Sequence, residues 1–261
     1  MKSKLKKLVE VIASKKWLKY SLIFLLFFLT IAIVQFSFPD TAGVDGYYHI
    51  KHAYLIRTQG FSAITDFNWT TYSVLNDYPS DLWFGFHIFL LPFTFFSNLI
   101  FGAKLASAIF ASLFLLIFYI ILSKFRVKHP LFWSALLLVI NSGFFFRLLM
   151  PRGAIFSLIF YAIGLYFLFK KKYIYLFFLS WIYALTYPGF IVFLGTILLY
   201  VLLELLYKKT FDWKLLAASF LGVLPGLIIR PDFPSNLYML YVQDILALFY
   251  KLKGVNLNFG I

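Results

Sequence analysis

The chain has 261 residues and contains no cysteine. Disulfide bonds, thiolate catalysis and cysteine-ligated metal sites are therefore excluded as explanations of its fold or function. Charged residues are also scarce, at 13% of the sequence, whereas a soluble domain has about a quarter. Acidic residues are the rarest of these, since 10 Asp and Glu stand against 24 Lys and Arg, for a net charge of +14. The few carboxylates are therefore the first places to look for chemistry.

Apolar residues, in contrast, make up 62% of the chain, and the mean hydropathy is +0.88. Long, nearly uncharged runs recur, and about 20 apolar residues are enough to span a bilayer as a helix. Because lipid offers no partners to backbone polar groups, a segment inside it must be a helix or part of a closed barrel. The sequence therefore predicts an all-α polytopic membrane protein in contact with membrane lipid. The 35 Phe residues suit a lipid-facing surface and imply no cofactor.

The basic residues cluster beside apolar runs, which indicates cytoplasmic flanks of membrane spans and not a nucleic-acid partner. Seven lysines lie in residues 1–20, around the start of the first apolar run. That run is too long for the apolar part of a signal peptide, and no small-residue cleavage site follows it. We expect an uncleaved first span, a cytoplasmic N-terminus and a location in the plasma (inner) membrane.

The Lys/Arg bias also selects between two topologies, because basic clusters favour the cytoplasmic side. The segment 82–96 is short for a span and contains Pro92, so it fits an interfacial helix better. If it does not cross, the clusters at 124–128, 170–172 and 208–214 all lie on the side of the N-terminus. We therefore expect a module of about seven transmembrane helices. The predicted spans are at about 18–36, 104–123, 131–146, 154–169, 173–187, 190–207 and 215–229.

Two long segments are expected on the outer face, at 37–103 and 230–261. The first contains a predicted interfacial helix at 46–57. The second contains a predicted helix at 237–250, which follows the start signal of Pro234 and the polar residues after it. We treat the whole chain as one module, and we expect it to be a piece or a reduced version of a longer protein.

Polar residues concentrate in these outer segments. The planar guanidinium of arginine can bind two phosphate oxygens at once. A carboxylate can accept the proton of a sugar hydroxyl, and a divalent cation bound to a phosphate prefers carboxylate oxygens as further ligands. Seven of the ten acidic residues are expected there, namely Asp40, Asp45, Asp66, Asp77, Asp81, Asp232 and Asp244. Asp45 is the candidate catalytic base, or the ligand of a divalent cation if the protein binds one. The candidates for substrate contacts are His49, Lys51, Asp81, His87, Arg147, Arg152 and Arg230.

Several of these candidates have plainer interpretations that the sequence leaves open. Asp45 is also a good N-cap or turn residue for the helix that follows it. The Lys51 ammonium could extend to lipid head groups, and His87 could be a packed, hydrogen-bonded core residue. His49 and His52 are three positions apart and share a helix face, but the sequence shows no third metal ligand beside them.

The Asp-Gly-Tyr-Tyr-His motif at 45–49, placed directly after a first span, resembles the GT-C superfamily of membrane glycosyltransferases. This superfamily includes the catalytic subunits of oligosaccharyltransferases and the protein mannosyltransferases. The likeness continues in Tyr-Pro-Ser-Asp-Leu-Trp-Phe-Gly-Phe-His at 78–87, in Leu-Leu-Pro-Phe at 90–93 and in the span start at 102–107. Arg147 and Arg152 correspond to the second outer loop of the family, although in this chain that loop has no acidic residue after Arg152. The chain also resembles bacterial GT-C-like proteins of uncharacterised activity.

This resemblance implies a seven-span core that takes a sugar from a polyprenyl-phosphate donor at the outer face. The sugar would move to a lipid, glycan or protein acceptor. The alternative is a non-catalytic scaffold or flippase-like protein that binds polyprenyl lipids. A transporter is a third hypothesis, but transporters place ionisable residues near the bilayer midplane, and the predicted spans are almost free of them.

Overall fold

A computed structural model describes residues 15–66, 76 and 78–254, and in this part the chain forms helices and turns without strands. The helices, in chain order, are α1 Lys16–Gln35, α2 Asp45–Gln59, α3 Phe84–Leu90, α4 Leu99–Lys124, α5 Pro130–Leu136, α6 Ser142–Leu149, α7 Ala154–Phe169, α8 Tyr173–Thr186, α9 Phe190–Lys208, α10 Trp213–Ile228, α11 Ser235–Leu240 and α12 Ala247–Leu252. Short 3-10 helices follow α2 and α3, at Gly60–Ile64 and Leu91–Phe95, and the π-helical turn Tyr241–Leu246 joins α11 to α12.

Within the described residues, three helices are long and apolar enough to cross a membrane, namely α1, α4 and α9. Helices α6 and α7 bend by 108° relative to each other, and together they would make a fourth span. Helices α8 and α10 have only 14 and 16 residues, fewer than the roughly 20 that a span needs. The protein is therefore helical and membrane-associated with three or four candidate spans, and the expected count of seven is not confirmed.

One predicted span is wrong as a single helix. The segment 131–146 contains all but the first residue of α5, an interruption at 137–141 and the start of α6. The side chain of Asn141 accepts a hydrogen bond from the Phe144 N–H at 2.9 Å. It therefore caps α6 and satisfies one of the donors that the first turn of a helix leaves unpaired. The apolar composition of this stretch hides the interruption.

The other predicted boundaries lie close to the observed ones. Helix α4 begins five residues before the predicted start of its span, because Asn98 caps it by accepting a bond from the Phe101 N–H at 3.1 Å. The short helices expected at 46–57, 82–96 and 237–250 are confirmed as α2, as α3 with its 3-10 helix, and as the stretch from α11 to α12. Asp77 and the first lysines lie outside the described residues.

Glycines allow α8 and α10 to pack closely. A Cβ added to Gly222 would lie 2.3 Å from the Phe177 carbonyl oxygen, and one added to Gly226 would lie 2.4 Å from that of Trp181. Both distances are shorter than any real Cβ contact, so α10 could not approach α8 in this way with larger residues. The tail after α10 is tied back to it, since the Asn236 Nδ2 donates to the Leu227 carbonyl at 2.8 Å.

The three basic clusters expected in the cytoplasm lie at one end of the helical bundle. The Lys124 Nζ lies 4.8 Å from the centre of the Tyr166 ring. The Lys171 Nζ forms ion pairs with the Glu204 Oε2 at 2.9 Å and with the Asp212 Oδ2 at 3.1 Å. Because α4 and α7 run away from this end toward their N-termini, the residues that precede those helices lie at the opposite end. That opposite end holds the candidate site.

Candidate functional site

A cavity of about 950 Å³ lies at the end of the bundle opposite the basic clusters. Its walls come from α2, the start of α3, α7, the α8–α9 connection and the π-helical turn of the tail. Several tyrosines and Trp83 give it a largely aromatic lining. The other polar residues that line it are Asp45, His49, Arg152, Ser157, Gln243 and Asp244. Three of the residues predicted from the sequence, Asp45, His49 and Arg152, therefore share one cavity.

An ion pair at this cavity joins the start of α2 to the connection between α6 and α7. The Arg152 Nη2 lies 2.8 Å from the Asp45 Oδ2, and the two side chains are 33% and 28% exposed. Gly46 makes the approach possible, because a Cβ there would lie 2.5 Å from the Pro151 Cγ. Val44 holds the N-cap position of α2 and Asp45 is its first residue, so the N-cap interpretation of Asp45 is not what the structure shows. The helix dipole still favours a carboxylate at this position.

Beside the cavity, three buried side chains form a hydrogen-bonded chain. The His87 Nδ1 lies 2.7 Å from the Asp81 Oδ2, and the His87 Nε2 lies 2.8 Å from the His49 Nδ1. An ionised Asp81 only accepts, so His87 carries its proton on Nδ1 and leaves Nε2 as an acceptor for the His49 Nδ1–H. The remaining ring nitrogen of His49, Nε2, is then unprotonated. Asp81 and His87 are thus connected to the cavity through His49.

The environment of this chain supports that assignment of protons. Burial lowers the pKa of His49 well below its usual range, and His87 acts in the same direction. Burial also lowers the pKa of His87, although the Asp81 carboxylate opposes this effect. Burial by itself would raise the pKa of Asp81, but His87 and His52 outweigh it and hold that pKa well below its usual range. At neutral pH the chain therefore consists of a carboxylate and neutral imidazoles.

His52 completes the cluster, and the sequence alone did not select it as a site residue. Its Nε2 lies 3.5 Å from the Asp81 Oδ2, and its ring stacks on Tyr48 with centroids 5.6 Å apart and an interplanar angle of 19°. One potential ligand atom from each of His52, Asp81 and His87 lies within 4.8 Å of the other two. This group of three, which is fully buried, does not include Asp45, the metal ligand expected from the sequence.

A second buried cluster, formed by Arg230 and Asp232 after α10, holds the backbone of Asp81 in place. Arg230 donates to both oxygens of Asp232, from Nε at 2.9 Å and from Nη2 at 2.8 Å. The Asp232 Oδ2 also accepts from the Ser80 Oγ at 2.7 Å and from the Asp81 N–H at 2.9 Å. Arg230 further donates to the Asp81 carbonyl, and the Trp83 N–H donates to the Asp81 Oδ1 at 3.1 Å. The segment before α3 and the segment after α10 are thus joined through the Arg230–Asp232 pair.

The structure does not bring every predicted residue to the cavity. Arg230 is buried against Asp232 and is not part of the cavity lining, because its guanidinium is taken up by that carboxylate. Arg147 is exposed on α6 and is likewise absent from the lining. Lys51 lies on the other side of α2, with its Nζ 4.8 Å from the centre of the Tyr54 ring, at an apolar groove of about 660 Å³. Arg147 and Arg230, both candidates for substrate contacts, therefore do not line the cavity that contains Asp45.

Two of the missed residues left faint signals in the sequence. His52 follows His49 by three positions, so a shared helix face was visible, but its partners Asp81 and His87 lie about thirty positions away. Asp232 is two residues from Arg230, yet its link to Asp81 depends on how the tail folds back. Neither contact could be found without the three-dimensional arrangement.

Comparisons with protein-family models, with curated proteins and with solved structures found no match to this chain. The resemblance to the GT-C superfamily therefore stays a prediction. What can be said about function depends on the cavity, the Asp45–Arg152 pair and the buried cluster beside them.

Proposed function

We propose that the protein is a GT-C-type glycosyltransferase that moves a sugar from a polyprenyl-phosphate donor to a lipid, glycan or protein acceptor. The observation that carries the proposal is the Asp45–Arg152 pair at 2.8 Å in a cavity of about 950 Å³. A carboxylate and a guanidinium within contact of each other supply the two groups that such a transfer needs. One accepts the proton of the nucleophile, and the other stabilises the phosphate that leaves.

In this mechanism the phosphate of the donor binds Arg152 and displaces Asp45 from it. The freed carboxylate accepts the proton of the acceptor hydroxyl as its oxygen attacks the anomeric carbon of the sugar. The bond between that carbon and the phosphate oxygen breaks, and the polyprenyl phosphate leaves with the bonding electrons. Arg152 stabilises the charge that develops on the phosphate. His49 offers a further polar contact through its Nε2.

The position of the cavity suits a lipid-linked donor. Leu158, Ile191 and Val192 are among its apolar lining residues, and they lie on α7 and α9, which are candidate membrane segments. The polyprenyl chain would lie against these helices while the phosphate reaches Arg152. The basic clusters lie at the far end of the bundle, so a cytoplasmic N-terminus places the cavity at the outer face of the plasma (inner) membrane.

Asp45→Asn tests the proposal, with Asp40→Asn as the matched control. The amide is neither basic nor charged, and loss of a general base lowers a rate by roughly 10²–10⁴-fold. Asp40 is an exposed neighbour that accepts from the Tyr47 hydroxyl at 2.8 Å and does not line the cavity, so its amide variant should transfer at the wild-type rate. The assay follows radiolabelled sugar from polyprenyl phosphate into the acceptor fraction of membranes that carry equal amounts of each variant.

Two results would count against the proposal in different ways. Transfer at the wild-type rate by Asp45→Asn would remove Asp45 as the base. No transfer by the wild-type chain from any polyprenyl donor tested, combined with retention of the radiolabelled donor, would favour a non-catalytic lipid-binding scaffold. Arg152→Gln tests the phosphate contact itself, because under either function donor retention should fall in that variant if Arg152 holds the phosphate.

A further inference from the structure

We propose that His52, Asp81 and His87 form a binding site for one divalent transition-metal ion of the zinc type. The site lies beside the cavity and does not use Asp45. The inference depends on the geometry of these three side chains, not on the proposed glycosyl transfer, and it is tested without any sugar donor.

The distances among the three residues suit a small ion. Zinc binds imidazole nitrogens and carboxylate oxygens at about 2.0–2.2 Å, so two ligands of a tetrahedral ion lie roughly 3.3 Å apart. The His52 Nε2 and the Asp81 Oδ2 are already 3.5 Å apart. The Asp81 Oδ2 and the His87 Nδ1 are 2.7 Å apart and share a proton, which the ion would replace. Each ligand atom lies within 4.8 Å of the other two, so small side-chain rotations would close the site.

The kinds of ligand select the metal. Two imidazoles and one carboxylate are the donor set of zinc and of neighbouring transition metals, whereas magnesium and calcium prefer sites made of oxygen. Three protein ligands leave a fourth position for water or another ligand, as in catalytic zinc sites. The chain has no cysteine, so histidine and carboxylate are the ligands available to such an ion.

The groups that surround these ligands already hold them as the outer shell of a metal site does. A histidine ligand usually donates its second ring N–H to a fixed acceptor, and a carboxylate ligand is itself hydrogen-bonded. Here the His49 Nδ1 lies 2.8 Å from the His87 Nε2, where it would accept such a bond once an ion replaced the proton on the His87 Nδ1. The Trp83 N–H donates to the Asp81 Oδ1 at 3.1 Å. Asp232 accepts from the backbone N–H of Asp81 at 2.9 Å. Because the Asp81 Oδ1 accepts the Trp83 N–H, the other oxygen, Oδ2, remains directed to the two histidines.

The site lies between two openings of the surface, one on each side of α2. His49 and Tyr48 line the cavity of about 950 Å³. His52 and Tyr48 line the groove of about 660 Å³ on the other side of α2. An ion on the His87 Nδ1 would move the proton of His87 to Nε2. His87 would then donate to the His49 Nδ1, and the His49 Nε2 would become a donor toward its surroundings instead of an acceptor.

The experiment uses the whole chain, purified in detergent and stripped of metal with a chelator, and Zn²⁺ alone as the probe. Equilibrium dialysis followed by elemental analysis should find one Zn²⁺ per chain. His52→Ala and His87→Ala should each weaken Zn²⁺ binding by at least the roughly 10–100-fold that loss of an outer-shell partner costs. His129→Ala is the matched control, because His129 is exposed and lies outside the cluster, and it should bind Zn²⁺ as the wild type does.

A second measurement needs no variant, so the test does not depend on whether the histidine variants fold. Co²⁺ bound to two imidazoles and a carboxylate with low coordination number gives intense visible absorption, and Zn²⁺ should displace it in one-to-one proportion. Wild-type chain that binds no Zn²⁺ would overturn the proposal. Equal Zn²⁺ binding by the wild type and by folded His52→Ala and His87→Ala would overturn it too, as would Co²⁺ with only the weak spectrum of a hydrated ion. Each of these results leaves the proposed sugar transfer untouched, because no donor is present.

Discussion

Asp232→Asn should destabilise the protein strongly although the side chain keeps its size. The Asp232 carboxylate is the counter-ion of Arg230, and the two side chains are 0% and 1% exposed. The substitution removes the negative charge and leaves the guanidinium buried without compensation. It also places an NH₂ group where an acceptor is needed.

The magnitude follows from the contacts. One oxygen of Asp232 accepts from the Arg230 Nε, while the other accepts from Arg230, from the Ser80 hydroxyl and from the Asp81 N–H. An asparagine can keep only one of the two oxygens, so in either orientation its NH₂ faces a donor. Removing one partner of a buried ion pair costs about 3–5 kcal/mol, because the other charge stays buried and unpaired. We expect the free energy of unfolding of Asp232→Asn to fall by about that amount.

The assay is a denaturant titration in mild detergent, in which circular dichroism monitors the loss of helix. Asp45→Asn is the comparison, because Asp45 also pairs with an arginine but the two side chains are 28% and 33% exposed. A pair as exposed as this contributes about 0–1 kcal/mol. Adding Arg230→Met to Asp232→Asn should recover part of the loss, since it removes the unpaired cation. The two single substitutions should therefore not be additive.

Equal stability of Asp232→Asn and Asp45→Asn would refute this argument. It would mean that water reaches Arg230 in solution, so that the guanidinium does not need Asp232. A double variant that is less stable than the wild type by the full sum of the two single effects would refute it as well, because the two residues would then act independently.

Two further predictions concern packing and topology. Gly222→Ala should lower the free energy of unfolding by about 1–3 kcal/mol, the usual cost of overpacking, because the new Cβ would lie 2.3 Å from the Phe177 carbonyl oxygen. In the same denaturant titration, Gly195→Ala should be neutral or stabilising, because its new Cβ would meet nothing within 4 Å. In intact cells, an impermeant maleimide should label Val44→Cys, near the cavity, and leave Arg126→Cys, in a basic cluster, unlabelled. Permeabilised cells should show labelling of both variants. External labelling at position 126 would show that the orientation in the membrane is the opposite of the one we expect.

The helical elements were predictable because their signals are local. Apolar runs give the approximate bounds of α7 and α9 within a residue or two. The number of spans was not predictable in the same way, since the same apolar composition occurs in a helix of 26 residues, as in α4, and in two short helices with a break, as in α5 and α6. A cap such as Asn141 decides between them, and its effect depends on one hydrogen bond.

The candidate site was predictable only in part, because local sequence shows which side chains are polar but not which are buried together. The Asp-Gly-Tyr-Tyr-His motif pointed to Asp45 and His49, and both line the cavity. Arg230 was also selected, but its partner Asp232 keeps it away from the cavity. Long-range contacts such as that between Ser80 and Asp232, 152 positions apart, leave no periodic pattern in the chain.

The two arginine–carboxylate pairs of this end of the protein show how burial separates roles for identical chemistry. The Asp45–Arg152 pair is about one-third exposed, so water and ions can replace either partner at small cost, and a phosphate can compete for the arginine. The Arg230–Asp232 pair is almost completely buried, so opening it would leave an uncompensated charge, and no ligand can compete. A group that must exchange partners during each turnover belongs in the first environment. A group that must hold Asp81, and through it His87 and His49, in one position belongs in the second. This difference in exposure, more than the presence of arginine itself, is the reason why we propose that Arg152 binds the substrate, whereas Arg230 holds the framework in place.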